Sequence, residues 1–226
     1  MGMAAKRSQS PPRNRSTCPT AQGVLGRFSF WNGVVSMEVI AKGSGLVLDV
    51  QSKQEAPVGN RKFYFGAGWD CPGGPVDLDL VAVALRGGKL TQQSDLVYFN
   101  NQAGSPGLAL SDDNRTGEGD GDDESLVIDT AAIPAEVDAI AVGLVAYSQT
   151  DFSKAPNPHF RACDGDNENA EQIADVPAGN GTPGDTALVA FRLERGPSGW
   201  TLTNVGTFHP FGNGTEAIKK FASLYE

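Results

Sequence analysis

"DLDLVAVALRGGKLTQQSDLVYFNN", residues 77–101, reads as two strands folded back on one another. In "DLDLVAVAL" (77–85) apolar and small β-forming residues run without a helix period. At its start Asp77 and Asp79 alternate with Leu78 and Leu80, so the acids face one side of the strand and the leucines the other. The two glycines of "RGGKL" then supply the backbone freedom of a tight turn, and "SDLVYFNN" (94–101) returns as the partner strand. The same grammar recurs in "DTALVAFRLERG" (185–196) and "GWTLTNVGTFH" (199–209), joined through "GPSG". Further strands are expected over 36–41, 45–50, 61–69, 125–129 and 159–163. The near-continuous apolar run "DAIAVGLVAYS" (138–148) suits a central strand covered on both sides. Only the C-terminus changes period. In "GTEAIKKFASLYE" (214–226) Ile218, Phe221, Ala222 and Tyr225 share one helical face, with Thr215 expected as N-cap. Short strands at turn-separated intervals, closed by one short helix, predict an all-β fold, a β-sandwich of two mainly antiparallel sheets.

Composition agrees. The 226 residues include 28 glycines and 14 prolines, more than a helical bundle tolerates. The net charge of -9 conceals a division. Residues 1–37 carry Lys6, Arg7, Arg13, Arg15 and Arg27 and no acid, which leaves a net charge of -14 on the remainder. We therefore expect a basic, largely disordered tail and linker over 1–37 and one domain over 38–226. Such an acidic body attracts cations and repels nucleic acid and anionic membrane. Cys18, Cys71 and Cys163 are odd in number and form no CxxC pair, so free thiols in a reducing compartment are expected. No apolar run is long enough to span a membrane, and with no apolar stretch before residue 24 secretion is not expected. The expected location is the cytoplasm.

One loop departs from ordinary sandwich sequence. "SDDNRTGEGDGDDE" (111–124) holds seven carboxylates, one arginine and three glycines. Set against an EF-hand loop, Asp112, Asn114 and Thr116 fall at positions 1, 3 and 5, Gly117 at the turn, Asp120 at position 9 and Asp123 at position 12, with Glu124 next. Its flanks are strand and turn sequence, which excludes a true EF-hand. The loop is either a solvated charge run or an oxygen-rich cation loop on another scaffold. Asp77 and Asp79 weigh toward the second reading, since two acids on one strand face are disfavoured without a positive partner. Asp70, ahead of a Pro-Gly-Gly turn, is placed to approach from the neighbouring loop.

These stretches together, "GWD…DLDLVAVAL…GKL…SDLVYFNN…DDNRTGEGDGDDESLVIDTAAIPAEVD", resemble the TerD domain of tellurium-resistance and stress-response proteins, and the likeness continues through "DTALVAFRLERGPSGWTLTNVG". The resemblance implies a Ca²⁺-binding β-sandwich, with two ions expected where the Asp-Leu-Asp strand meets the acidic loop. The ligands it implies are Asp77 and Asp79 with Asp113, Asn114, Asp122, Asp123 and Glu124, while Glu118 and Asp120 offer carbonyls as much as carboxylates. The family pattern usually has glycine where Asp112 stands. The segment 153–172 also departs from the family's usual run after the central strand.

Other constellations are weaker. "DGDNENAEQIAD" (164–175) reads as a polar surface turn. His159 and His209 lie in no zinc-ligand spacing. Neither a GxSxG elbow nor a P-loop is present, and Cys71 beside Asp70 is a poor thiolate. Trp69, Trp200, Phe63 and Phe65 are expected in the core. The reading that follows is a non-enzymatic, calcium-regulated interaction module working with other stress-response proteins. A metal-dependent hydrolase using the same carboxylates is the alternative. An anion- or nucleotide-binding loop ranks last, because the acids repel phosphate.

Overall fold

The computed structural model describes residues 54–55, 61–70, 76–148 and 150–226. The basic tail, the boundary at residue 38, the strands expected over 36–41 and 45–50, and Cys18 and Cys71 lie outside the described residues. The rest forms eleven strands in two sheets. They are β1 (Gln54–Glu55), β2 (Lys62–Gly68), β3 (Leu78–Leu85), β4 (Leu96–Val97), β5 (Leu108–Leu110), β6 (Glu124–Asp129), β7 (Ala139–Ala146), β8 (His159–Asp164), β9 (Glu171–Val176), β10 (Ala187–Gly196) and β11 (Gly199–His209). One helix, α1 (Thr215–Ser223), follows. The first sheet runs β1-β11-β10-β7-β3-β4 and the second β5-β6-β2-β8-β9, and every pairing is antiparallel.

The core lies between the sheets. Leu78, Leu80, Ala82 and Ala84 of β3 meet Phe63, Phe65 and Ala67 of β2 and Leu126 and Ile128 of β6. Phe191 packs its ring against Phe65 and Phe160, with centroids 5.4 and 5.1 Å apart. The opposite side of β3, β7 and β10 is covered as well. Val81, Val83, Val145 and Val189 pack under Ala217, Ile218 and Phe221 of α1. That double cover is why β3 and β7 are apolar along their whole length and buried throughout. Trp69, Trp200, Phe63 and Phe65 are buried, as expected.

Three local expectations need correction. The return strand at 94–101 shrinks to Leu96 and Val97, preceded by a 3₁₀ turn over Gln93–Asp95. The Arg86 guanidinium pairs with Asp95 beside the turn, and this buried ion pair holds the segment where a longer ladder would have run. The N-cap of α1 is Gly214, with no side-chain cap, and not Thr215, which is already helical. Residues 171–176, read as part of a turn, form the edge strand β9. No helix among the described residues is long and apolar enough to cross a membrane.

Candidate metal centre

β3 is an inner strand only along part of its length. β4 pairs with Ala82 and Val83, so among the described residues no strand pairs with the β4-side edge at residues 78–80. Alternation puts the Asp77 and Asp79 side chains on the face opposite Leu78 and Leu80, at the end of the surface that α1 covers farther along. The acidic loop between β5 and β6 closes over this corner and brings Asp113 to the pair. Asp77, Asp79 and Asp113 each present a carboxylate oxygen, and these oxygens lie within 4.8 Å of one another. Asp77 Oδ1, Asp79 Oδ2 and Asp113 Oδ1 are all buried and find no hydrogen-bond partner among the described residues.

Three carboxylates this close cannot all hold a negative charge cheaply. One such pair repels by roughly 3 kcal/mol at an effective dielectric near 20. Asp79, 2 % exposed, is pushed up to about 8, first by burial and then by the charges of Asp77 and Asp113. Burial and then Asp113 push Asp77 up to about 6. Arg115 donates from Nε to Asp113 Oδ2 at 2.9 Å, but its side chain is 74 % exposed and tempers the cluster only weakly. An orphaned, all-oxygen donor set suits a hard divalent cation. Ca²⁺ takes roughly six to eight oxygens and is content with carboxylates, carbonyls and water.

The neighbouring loop acids hold the backbone. Glu124 opens β6 with its side chain turned inward, 3 % exposed. Its Oε2 accepts the backbone N–H of Leu80 at 2.8 Å, and its Oε1 accepts that of Asn114 at 3.3 Å. Burial, with the Asp79 charge adding to it, raises Glu124 to about 8 against the pull of these two bonds. Asp123 accepts the Trp69 backbone N–H at 2.9 Å and the Asn114 side-chain amide at 3.0 Å. Asn114 in turn accepts the backbone N–H groups of Thr116 and Gly117, each at 3.1 Å, which closes the first turn of the loop. Gly117 sits at φ +58 against Trp69, where a Cβ would lie 2.3 Å from the indole nitrogen. Trp69 is therefore both a core residue and the floor of the loop. Its indole N–H donates to the Val76 carbonyl at 2.7 Å.

Of the ligands anticipated from sequence, the structure thus brings Asp77, Asp79 and Asp113 to one point and sets Asn114, Asp123 and Glu124 directly behind them. The others are placed elsewhere. Asp122 lays its carboxylate on the outer face of the second sheet, where Tyr64, His159 and Arg161 bind it. Asp70 is exposed and accepts from Asn157 at 2.6 Å. Thr116, Glu118 and Asp120 lie exposed along the loop, as does Asp112, outside the three-acid group. The sequence singled out neither Arg161 nor Tyr64, and offered His159 only as a zinc ligand that its spacing excludes. Their alternation along β8 and β2 was visible, but their common partner was not.

Comparison with known proteins bears on the whole domain. The family model of the TerD domain matches residues 40–218. The chain is 35 % identical over 150 residues to Tellurium resistance protein TerD of Serratia marcescens, an alignment covering 62 % of this chain and 77 % of that protein. It is 29 % identical over 167 residues to Stress response protein SCP2 of Bacillus subtilis (strain 168), covering 66 % and 83 %. The solved structure of a homologue of telluride resistance protein (TerD) from Streptomyces coelicolor A3(2) superposes with a TM-score of 0.57 over 70 % of this chain and 96 % of that one. At 17 % identity it speaks for the fold alone.

Proposed function

The chain belongs to the TerD domain family of tellurium-resistance and stress-response proteins, and from that premise we propose that it is a Ca²⁺-binding, non-enzymatic interaction module. The observation that carries the reading is the trio of buried oxygens on Asp77, Asp79 and Asp113 that find no partner among the described residues. A divalent ion there neutralises acids that otherwise repel, and it ties the loop to the start of β3 in the first sheet. Asp79 comes from the fully buried β3 and Asp77 immediately precedes that strand, so together they give a rigid half-site. Asp113 comes from the loop and gives the half that an ion recruits.

Binding then has a mechanical result. The exposed loop residues Asp112, Arg115, Thr116, Glu118 and Asp120 are carried on backbone that Asn114 and Gly117 pin from beneath. Fixing Asp113 fixes the surface they form, and that surface is what a partner stress protein would read. The proposal assigns no bond-making step to the carboxylates.

Calorimetric titration of Ca²⁺ and Mg²⁺ into the intact protein, and into a variant with Asp77→Ala and Asp79→Ala together, tests this. The expected result is saturable Ca²⁺ binding that the double variant loses. One ion per chain would match the three-acid cluster alone, and two would add the exposed loop acids. With free Ca²⁺ at 100 times its dissociation constant the folded state gains about 2.7 kcal/mol, so melting should shift clearly upward. No heat and no shift at millimolar Ca²⁺ would discard the proposal.

A further inference from the structure

Asp122, Asp123 and Glu124 are consecutive, yet their side chains leave in three directions. Glu124 turns inward to Leu80, Asp123 turns to Trp69, and both hold Asn114. Asp122 turns outward over β2. Gly66 lies directly beneath it, where an added Cβ would come within 2.1 Å of Oδ2, so the strand carries glycine at the point the carboxylate must cross. There Asp122 is almost enclosed, its side chain 2 % exposed. Arg161 donates to it from Nη2 at 2.6 Å and from Nε at 3.1 and 3.2 Å, the Tyr64 hydroxyl at 2.9 Å, and His159 Nε2 stands 3.1 Å away. Burial alone would disfavour its charge, but the bonds from His159, Arg161 and Tyr64 hold its carboxyl well below the usual range. All its partners stand on β2 and β8, the middle of the second sheet.

From this arrangement we infer that Asp122 is a positioning residue and not a cation ligand: Arg161, His159 and Tyr64 clamp it to the second sheet, and the clamp sets where Asp113 meets the ion. The path is short. Asp122 fixes the chain entering β6, Asp123 and Glu124 then grip the side chain and backbone of Asn114, and Asn114 is the next residue to Asp113. The inference rests on the cation site proposed for Asp77, Asp79 and Asp113. It adds that the outer face of the opposite sheet governs the affinity of that site.

The sign of one substitution separates this role from simple electrostatics. Removing a positive charge near an acidic site should tighten cation binding by Coulomb attraction. Removing a positioning contact should weaken it, typically by about tenfold or more. In the full chain, Arg161→Gln is expected to weaken Ca²⁺ binding about tenfold at unchanged stoichiometry, well below the melting temperature. Arg161→Lys should recover part of the loss. Tyr64→Phe removes one bond to Asp122 and no charge, so it should weaken binding in the same direction and less. It also carries the test if Arg161→Gln does not fold. Amide hydrogen exchange in chelator gives a second readout that needs no ion, and the Asn114 N–H should exchange faster in each variant than in the unaltered protein. Unchanged or tighter Ca²⁺ binding in both Arg161→Gln and Tyr64→Phe overturns the inference, as does unchanged Asn114 exchange in both. If the unaltered protein binds no Ca²⁺, the cation reading fails by itself, and Asn114 exchange still decides whether the clamp exists.

Discussion

The backbone N–H of Leu80 donates to the Glu124 carboxylate at 2.8 Å, and this bond ties the β4-side edge of β3 in one sheet to the first residue of β6 in the other. The same carboxylate accepts from Asn114, so the sandwich edge and the acidic loop share one buried anchor. Its position beside Asp79 and Asp113 couples core stability to the proposed cation site.

Glu124→Ala should therefore destabilise the protein by about 1–3 kcal/mol, because it strands the buried Leu80 donor. Glu124→Gln keeps an acceptor for the Leu80 N–H, so it should cost less in chelator than the alanine variant. Urea unfolding of both variants in chelator measures the difference.

Metal-free stability should fall as pH rises from about 4 to about 8. Asp77 is raised to about 6, and Asp79 and Glu124 to about 8, so across that range the folded state holds protons that the unfolded chain has released. Their stabilising contribution is full below the ordinary carboxylate range and gone above pH 8. A bound ion favours the ionised acids, so Ca²⁺ affinity should strengthen over the same interval. Melting curves from pH 4 to 8, in chelator and in Ca²⁺, should diverge as pH increases. Parallel curves would speak against the cluster as the origin.

Arg115→Gln removes the cation that sits on Asp113 and lies exposed beside the cluster. Ca²⁺ should then bind about two- to fivefold more tightly at low salt, with the gain fading at high salt. Titrations at two ionic strengths read both effects.

Gly117→Ala places a Cβ against the Trp69 indole at a backbone angle of +58°. The strain and the collision should cost about 1–2 kcal/mol of stability and loosen the turn around Asn114. A lower melting temperature in chelator, with weaker Ca²⁺ binding, is the expected result. An unchanged melting temperature would mean that the loop does not rest on Trp69.

Much of the architecture was legible from local pattern. The β10–β11 hairpin, the buried central strand β7 and the apolar face of α1 all follow from side-chain periodicity that a few residues carry. Where a side-chain ion pair competed with strand pairing, periodicity alone failed, as in the return strand that Arg86 and Asp95 cut short. The edge strand β9 was hidden for a related reason, since its polar residues resemble a turn until β8 offers its backbone.

The candidate site divides along the same line. Alternation within "DLDL" suffices to put Asp77 and Asp79 on one face, because Cβ atoms of a strand point alternately up and down whatever the rest of the chain does. The richness of residues 111–124 in acids and glycines was equally plain, but which of the seven carboxylates would converge was not. Asp113 joins the aspartate pair, Glu124 binds Leu80 from 44 positions away, and Asp122 is drawn off by Arg161 across 39. Those fates depend on the order of strands in two sheets and on the register between β2, β6 and β8. Both are settled only when the sandwich closes and distant backbones compete for the same carboxylates.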